Sequence, residues 1–389
     1  MTEPRKILIY TDEGSAGGVA QYNHALALAL AEKGWSVAMA FPSNESPLVD
    51  EQKARGIIHR HLSYSPKHEF TRSFVDTADP KAIYAELSPD LIFFSDCCPL
   101  SNLAAKSTSI SSKIPFIIQC HSGAAYLADR FTAATRVARL QYNAAQAVIA
   151  ISPASLEILR RVYGLASNRG MTVLNGRPRH YFEKTPTETR RRIRDELGLS
   201  SDAVLSFTSA RFDRDKGYHL QLAAIAVLIK NHALGPLHFA WAGVGEGFDD
   251  IRNMAANLGV AEQISFLGQR WDVDDLLGSS DLFVLPSFNE GGLPLSAMEA
   301  MAKGLPTIIS AINSIPAIVG DAGVLIPDPN QNANATIATL ASALKSLGSS
   351  STLRERIGKA AGLLARRSFD LSTNLARTVS VIEGIVPSQ

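Results

Sequence analysis

Cysteine is scarce in this chain of 389 residues: Cys97, Cys98 and Cys120 are all there are, and three thiols cannot all pair. Adjacent Cys97 and Cys98 are poorly placed to bridge each other. No Cys-x-x-Cys pair or matching histidine spacing is present to build a structural zinc site. A reduced, cytoplasmic setting is the expectation. A surplus of charge is missing too, since 38 Lys and Arg against 37 Asp and Glu leave +1, so global electrostatics give no case for a nucleic-acid partner. Long apolar runs are absent: no stretch supplies the roughly 20 residues of a spanning helix, and the N-terminus passes into an apolar strand without the features of a leader. Membrane contact is expected only at the periphery, on an inner surface. Neither a short-period repeat nor a low-complexity tract occurs.

The chain is 46% hydrophobic and 19% charged, ample for two α/β domains with separate cores. Residues 6–10 form a short buried-strand pattern, followed by a glycine-rich turn and then Val19, Tyr22, Leu26, Ala29 and Leu30 at helical spacing. Residues 35–41 resume as strand after Gly34, completing a β-α-β unit. Further strands are predicted at 91–94, 115–120 and 147–151. A polar, Arg-rich stretch from Arg177 to Asp202 breaks the apolar rhythm and reads as an interdomain connection plus a solvated helix. The pattern then restarts, with strands at 203–209, 237–242, 264–267, 282–285, 307–310 and 323–326 and helices at 217–230 and 248–258. Two doubly wound domains in series are the expectation, split at 1–185 and 186–369, with a helix of about 370–389 packing back on the first. Arg130, Arg136 and Arg139 fall on a helix expected over 129–145.

The most informative segment is PSFNEGGLPLSAMEAMAKGLPTII, residues 286–309. A strand ends in Pro286-Ser287, a loop carries Glu290, Gly291 and Gly292, and a helix opened by Leu293, Pro294 and Leu295 carries Glu299. Glycines let backbone N–H groups approach a ligand, and the helix points its positive N-terminus at that loop, an arrangement suited to a pyrophosphate. Upstream, SARFDRDKGYHL (209–220) places Arg211 and Lys216 just after a predicted strand.

These segments resemble the donor site of glycosyltransferase family 4, and weaker similarity extends over nearly the whole chain. The resemblance implies the GT-B fold: two doubly wound, Rossmann-like parallel-sheet domains facing a central cleft. It also implies retaining transfer of a hexose from a nucleoside-diphosphate sugar, with UDP-glucose the leading guess from family frequency. The acceptor would be a glycan or lipid-linked glycan of an envelope or exported polysaccharide. Arg211 and Lys216 would hold the diphosphate, the arginine as a fork of donors and the lysine as a point charge, and would stabilise the charge that grows as the sugar departs. Glu299 would accept hydrogen bonds from a ribose diol, and Glu290 would orient the transferred sugar. Gly291, Gly292, Leu293, Pro294 and Leu295 line the donor. The turn at Gly243 lies beside the nucleotide, and the Gly268-Gln269-Arg270 turn meets the base through backbone groups. In the N-terminal half, Gly17 and Gly18 carry over as the glycine loop and His121 as the histidine that contacts the donor sugar. Asn175-Gly176 closes the first domain.

One loop residue more than the family's spacing separates Glu290 from Glu299. Aligned from Pro286-Ser287 the first glutamate is Glu290, whereas aligned backward from Glu299 its place falls to Gly291. Glu290 is favoured because loops absorb insertions. Asp213 and Asp215, like Asp272 and Asp274, superficially match an Asp-x-Asp metal site. Asp272 reads as a helix N-cap, and Arg211 with Lys216 supplies the charge a divalent ion would bring, so no catalytic metal or other cofactor is expected. A dehydrogenase fits poorly, since the first turn lacks the dinucleotide fingerprint. A nucleotide-sugar epimerase or phosphorylase on the same fold, or an inactive nucleotide-sugar-binding partner, remain as alternatives.

Overall fold

The structure is a computed structural model and describes residues 4–14, 17–42 and 47–386. The chain divides into two compact units, the first comprising Met1–Asn175 with Ser372–Gln389 and the second Gly176–Leu371. Each is built on one parallel sheet.

In the first unit the strands are β1 (Lys6–Thr11), β2 (Ser36–Pro42), β3 (Ile58–Leu62), β4 (Leu91–Asp96), β5 (Phe116–Cys120), β6 (Ala147–Ala150) and β7 (Met171–Thr172). Their order across the sheet is β3-β2-β1-β4-β5-β6-β7, and every pairing is parallel. β1 and β4 are apolar and buried along almost their whole length, as expected of central strands covered on both faces. The core gathers Leu8, Tyr10, Ile92, Phe94, Ile118 and Tyr142. The C-terminal helix Leu371–Ile385 belongs to this unit from Ser372 onward: the Tyr22 hydroxyl meets Thr378 Oγ1 at 2.9 Å and Gln119 Oε1 at 2.8 Å, and Lys33 pairs with Glu383 at 3.0 Å.

The second unit holds β8 (Val204–Ser209), β9 (Leu237–Ala242), β10 (Ile264–Gly268), β11 (Leu282–Leu285), β12 (Thr307–Ser310) and β13 (Val324–Ile326). Their order is β10-β9-β8-β11-β12-β13, again parallel throughout. An aromatic cluster underlies the carboxyl edge: Phe212 stacks on Tyr218 with centroids 4.1 Å apart, and Trp241, Phe248 and Phe266 close around them. Burying these rings fixes the loops that follow β8 and β9.

Four expectations change. The units divide at Asn175/Gly176 and Leu371/Ser372 and not after 185, because Arg177 and Tyr181 pack into the second unit. The Arg-rich stretch is not simply solvated: Arg177 is 7% exposed, and on the helix Thr187–Glu196 both Arg190 and Arg194 clamp Asp281. The helix expected over 129–145 is two helices, Tyr126–Arg130 and Thr132–Ala144, broken at Phe131 with φ −129° and ψ 61°. Arg139 donates to the Val162 carbonyl and Arg130 lies over the Phe131 ring. Finally, Asp272 occupies an N-cap position, yet its side chain caps nothing and takes both Nε and Nη2 of Arg270.

Candidate functional site

In the second unit the strand order reverses between β8 and β11, and open parallel sheets present a ligand crevice at the carboxyl ends of strands that flank such a reversal. The loop after β8 carries Arg211 and Lys216, and the loop after β11 carries Glu290, Gly291 and Gly292. Lys216 Nζ stands 2.6 Å from Glu290 Oε1, and the Ser287 hydroxyl donates to the same oxygen at 2.7 Å. The loops are bound to each other through backbone: Phe288 N–H donates to the Asp215 carbonyl at 2.8 Å. Gly217, at φ +70°, makes this approach feasible, since a Cβ there would stand 2.1 Å from the Pro286 carbonyl oxygen.

The Glu290 loop is held from further along the chain as well. Asn313 Nδ2 donates to the Glu290 carbonyl at 2.6 Å and Asn330 Nδ2 to the Phe288 carbonyl at 2.7 Å. Gly292 and Leu293 are buried, and Pro294 precedes the helix Leu295–Ala302. Gly243 follows β9 at φ +141°, where a Cβ would lie 2.0 Å from the Ala210 carbonyl oxygen, and its N–H donates to Gly268. The segments that close β8, β9 and β10 therefore touch through backbone, and at Gly243 there is no room for a side chain.

Two expected donor residues are otherwise engaged. Arg211 is three-quarters exposed and pairs with Asp213 at 3.1 Å. Arg270 is held by Asp272 and by Glu196, which leaves its backbone as the group to offer a base. Glu299 is buried, and its carboxylate lies 2.8 Å from Arg177 Nη2. Burial raises its pKa, with Arg177 and a hydrogen bond from Tyr181 opposing the rise.

In the first unit the reversal lies between β1 and β4. Gly17 is the N-cap of the helix Gly18–Glu32, whereas Ser15 and Ala16 of the glycine loop lie outside the described residues. Asp12, just past β1, accepts the Cys97 N–H at 3.0 Å and the Ser101 hydroxyl at 2.5 Å. His121 follows β5 and is 7% exposed. Its Nε2 lies 3.0 Å from Ser95 Oγ, while Nδ1 is buried without a hydrogen-bond partner among the described residues. Burial pushes its pKa down to about 3, so the imidazole is neutral near pH 7. Beneath it, fully buried Lys106 and Asp96 pair at 2.7 Å, and Asn102 donates to the other Asp96 oxygen.

Sequence reasoning missed Asp12, Arg177, Asn313 and Asn330. Asp12 has a legible signal, a carboxylate directly after the first strand beside the reversal. Arg177 also has one, because it adjoins the Asn175-Gly176 closure. The two asparagines have none, since each acts from a loop distant in sequence.

The C-terminal unit matches the family described as Glycosyl transferases group 1 over residues 189–362, and residues 16–178 match Glycosyltransferase Family 4. Among curated relatives, mannosylfructose-phosphate synthase of Agrobacterium fabrum is 30% identical over 43% of this chain and 38% of its own length. An Escherichia coli UDP-Gal:alpha-D-GlcNAc-diphosphoundecaprenol alpha-1,3-galactosyltransferase is 36% identical over 30% of each chain. The chain thus spans well under half the length of these relatives. Among solved structures, Anabaena HepE in complex with UDP and glucose superposes with a TM-score of 0.80 at 18% identity, covering 98% of this chain and 100% of that one. Sucrose-phosphate synthase of Thermosynechococcus elongatus gives 0.78 at 19% identity, over 99% and 100%. Two Rossmann-like parallel-sheet units on a shared fold, each matched by its own glycosyltransferase domain, lead to one conclusion: the chain belongs to glycosyltransferase family 4, with the GT-B architecture.

Proposed function

We propose that the protein is a retaining glycosyltransferase that moves a hexose from a UDP-sugar to a hydroxyl of a glycan or lipid-linked glycan, without a metal cofactor. The observation that carries this reading is the Lys216–Glu290–Ser287 cluster at the β8/β11 reversal, beside the helix that bears Glu299. Lys216 and Arg211 would bind the diphosphate, and exposed Arg211 is placed to exchange Asp213 for a phosphate oxygen. Glu290 would accept a sugar hydroxyl, and Glu299 the ribose diol. The sugar contact that family resemblance gives His121 suits a neutral imidazole. HepE, solved with UDP and glucose, supports UDP as the nucleotide.

In this mechanism the bond from the anomeric carbon to the diphosphate oxygen breaks first, and negative charge gathers on the leaving group opposite Lys216 and Arg211. The acceptor oxygen forms the new bond from the same face, and its proton passes to the departing phosphate oxygen. A thermal-shift screen of nucleoside diphosphates and their sugars identifies the donor, because a ligand that binds the native state raises Tm. Acceptor-dependent transfer, compared with hydrolysis of the donor alone, separates a transferase from an epimerase, a phosphorylase or an inactive binding partner. An inverted anomeric proton in the product's NMR spectrum rules out retention.

No helix among the described residues is long and apolar enough to cross a membrane. A lipid-linked acceptor would be met at the surface through the helix Thr132–Ala144, which exposes Arg136 beside Val137 and Leu140. Co-sedimentation with anionic vesicles that weakens with salt tests this contact.

A further inference from the structure

Arg177 stands at a distinctive place in the chain. Its N–H donates to the Phe369 carbonyl at 2.8 Å, and its carbonyl accepts the Leu371 N–H at 3.1 Å, so the outgoing and returning strands of the crossing run side by side through it. Its guanidinium turns inward, over the Tyr181 ring at 4.8 Å, and meets Glu299. Both side chains are over nine-tenths buried. A buried carboxylate keeps its charge only beside a compensating cation.

We propose that Arg177 is the positioning residue of the ribose site: it fixes the rotamer of Glu299 and maintains its charge, so that both carboxylate oxygens can accept from a nucleotide diol. This rests on the reading of Glu299 as the ribose contact. A side chain of helix Leu295–Ala302 with several rotamers would otherwise lose conformational freedom on binding; the Arg177 pair removes that loss beforehand. The other groups around Glu299 do not replace Arg177. Tyr181, on the short helix Arg179–Phe182, donates one hydrogen bond and carries no charge. Asp274, on the helix Val273–Gly278, is of like sign, and Lys303 is drawn onto Asp274 at 2.8 Å and onto the Glu183 carbonyl at 3.0 Å. His180 lies against the Tyr181 ring, with centroids 4.4 Å apart. Arg177 is the cation in direct contact with Glu299.

The test is calorimetric titration of UDP into wild type, Arg177→Met, Arg177→Lys, Glu299→Gln and the double variant Arg177→Met/Glu299→Gln, between about pH 6 and pH 8. Each fold is checked by circular dichroism and Tm. The ratio of variant to wild-type Kd is read, which cancels the titration of the diphosphate. Without Arg177 the buried carboxyl is protonated at higher pH, so the Arg177→Met ratio should grow about tenfold or more as pH falls across this range. Arg177→Lys should restore a nearly flat ratio. Glu299→Gln and the double variant should bind more weakly by about ten- to a hundredfold at every pH, again with a flat ratio.

A flat ratio for Arg177→Met, with Glu299→Gln still weakened, overturns the proposal and leaves the ribose reading standing. Wild-type affinity in Glu299→Gln removes the ribose reading and the proposal with it. If UDP fails to bind wild type, GDP and ADP take its place in the same series, and binding of none of the three overturns both. Should Arg177→Met not fold, Arg177→Gln, which keeps a donor without the charge, is read in the same way.

Discussion

Lys216 Nζ lies 2.6 Å from Glu290 Oε1, an oxygen that also accepts from Ser287, so the two loops flanking the sheet reversal share a single carboxylate oxygen. With the extra loop residue in place, Glu290 is the position whose side chain reaches this junction, and Gly291 offers backbone alone. Glu290→Ala is accordingly expected to lower kcat by about a hundredfold, as the loss of a group that acts mainly in the transition state does. Steady-state kinetics decide: near-wild-type turnover transfers the role to the backbone at Gly291.

Arg211 separates function from stability. Since it is largely exposed and bonded to Asp213 at 3.1 Å, Arg211→Ala should change unfolding free energy by less than about 0.5 kcal/mol. Turnover should fall sharply all the same, and Arg211→Lys should recover little of it if a two-point fork grips the diphosphate. Chemical denaturation beside kcat and donor KM for both variants checks this, and a tolerant Arg211→Lys identifies a simple charge contact.

Gly217 and Gly198 both adopt positive φ, +70° and +64°, but only Gly217 faces a neighbour at the position a Cβ would take. Gly198→Ala should cost about 1 kcal/mol, from backbone strain alone. Gly217→Ala adds a collision with Pro286 and should cost about 2 to 4 kcal/mol, and it should weaken UDP by displacing Lys216. Urea unfolding and calorimetry on the pair measure the difference.

The Asp96–Lys106 pair is wholly buried. Burial pushes Asp96 up to about 6 while Lys106 pulls it down. Lys106→Met leaves a carboxyl with one hydrogen bond from Asn102 and should destabilise by about 3 to 5 kcal/mol. Adding Asp96→Asn should recover most of that loss, and a double-mutant cycle by urea denaturation reads the coupling.

Much of this architecture is legible in the sequence because central parallel strands are continuous apolar runs. The segments 237–242, 282–285 and 307–310 coincide with β9, β11 and β12. β3 escapes because Ile58-His59-Arg60-His61-Leu62 lies at an edge, with only Leu62 buried, and β7 because it has two residues. The break at Phe131 carries no glycine or proline to announce it. The loops of the donor site are legible as glycine and charge at strand ends, but their couplings are not. Nothing in sequence spacing joins Arg177 to Glu299, Asn313 to the Glu290 carbonyl or Arg270 to Glu196, since each pair is formed by tertiary packing.

His121 makes stability depend on pH. Its folded pKa of about 3 lies below the ordinary histidine value of 6.5, so between these values the unfolded chain binds more protons than the native one. Its contribution is intact above the unfolded value and declines as pH falls through the window, by up to about 1.4 kcal/mol per pH unit. His121→Gln should remove that part of the slope. Urea unfolding of both proteins from neutral to acid pH tests it, and parallel curves discard burial as the cause.

The seam between Tyr22 and Thr378, which are 356 residues apart, imposes an order on biosynthesis. Residues 176–371 form one uninterrupted unit, whose own sheet and core are complete in sequence once residue 371 leaves the ribosome. The earlier-made unit waits with the Tyr22 hydroxyl and Lys33 unsealed until the helix Leu371–Ile385 arrives. The segment translated first is therefore finished last, and a ribosome that stops short of that helix releases a complete second unit joined to a first unit still open along one face.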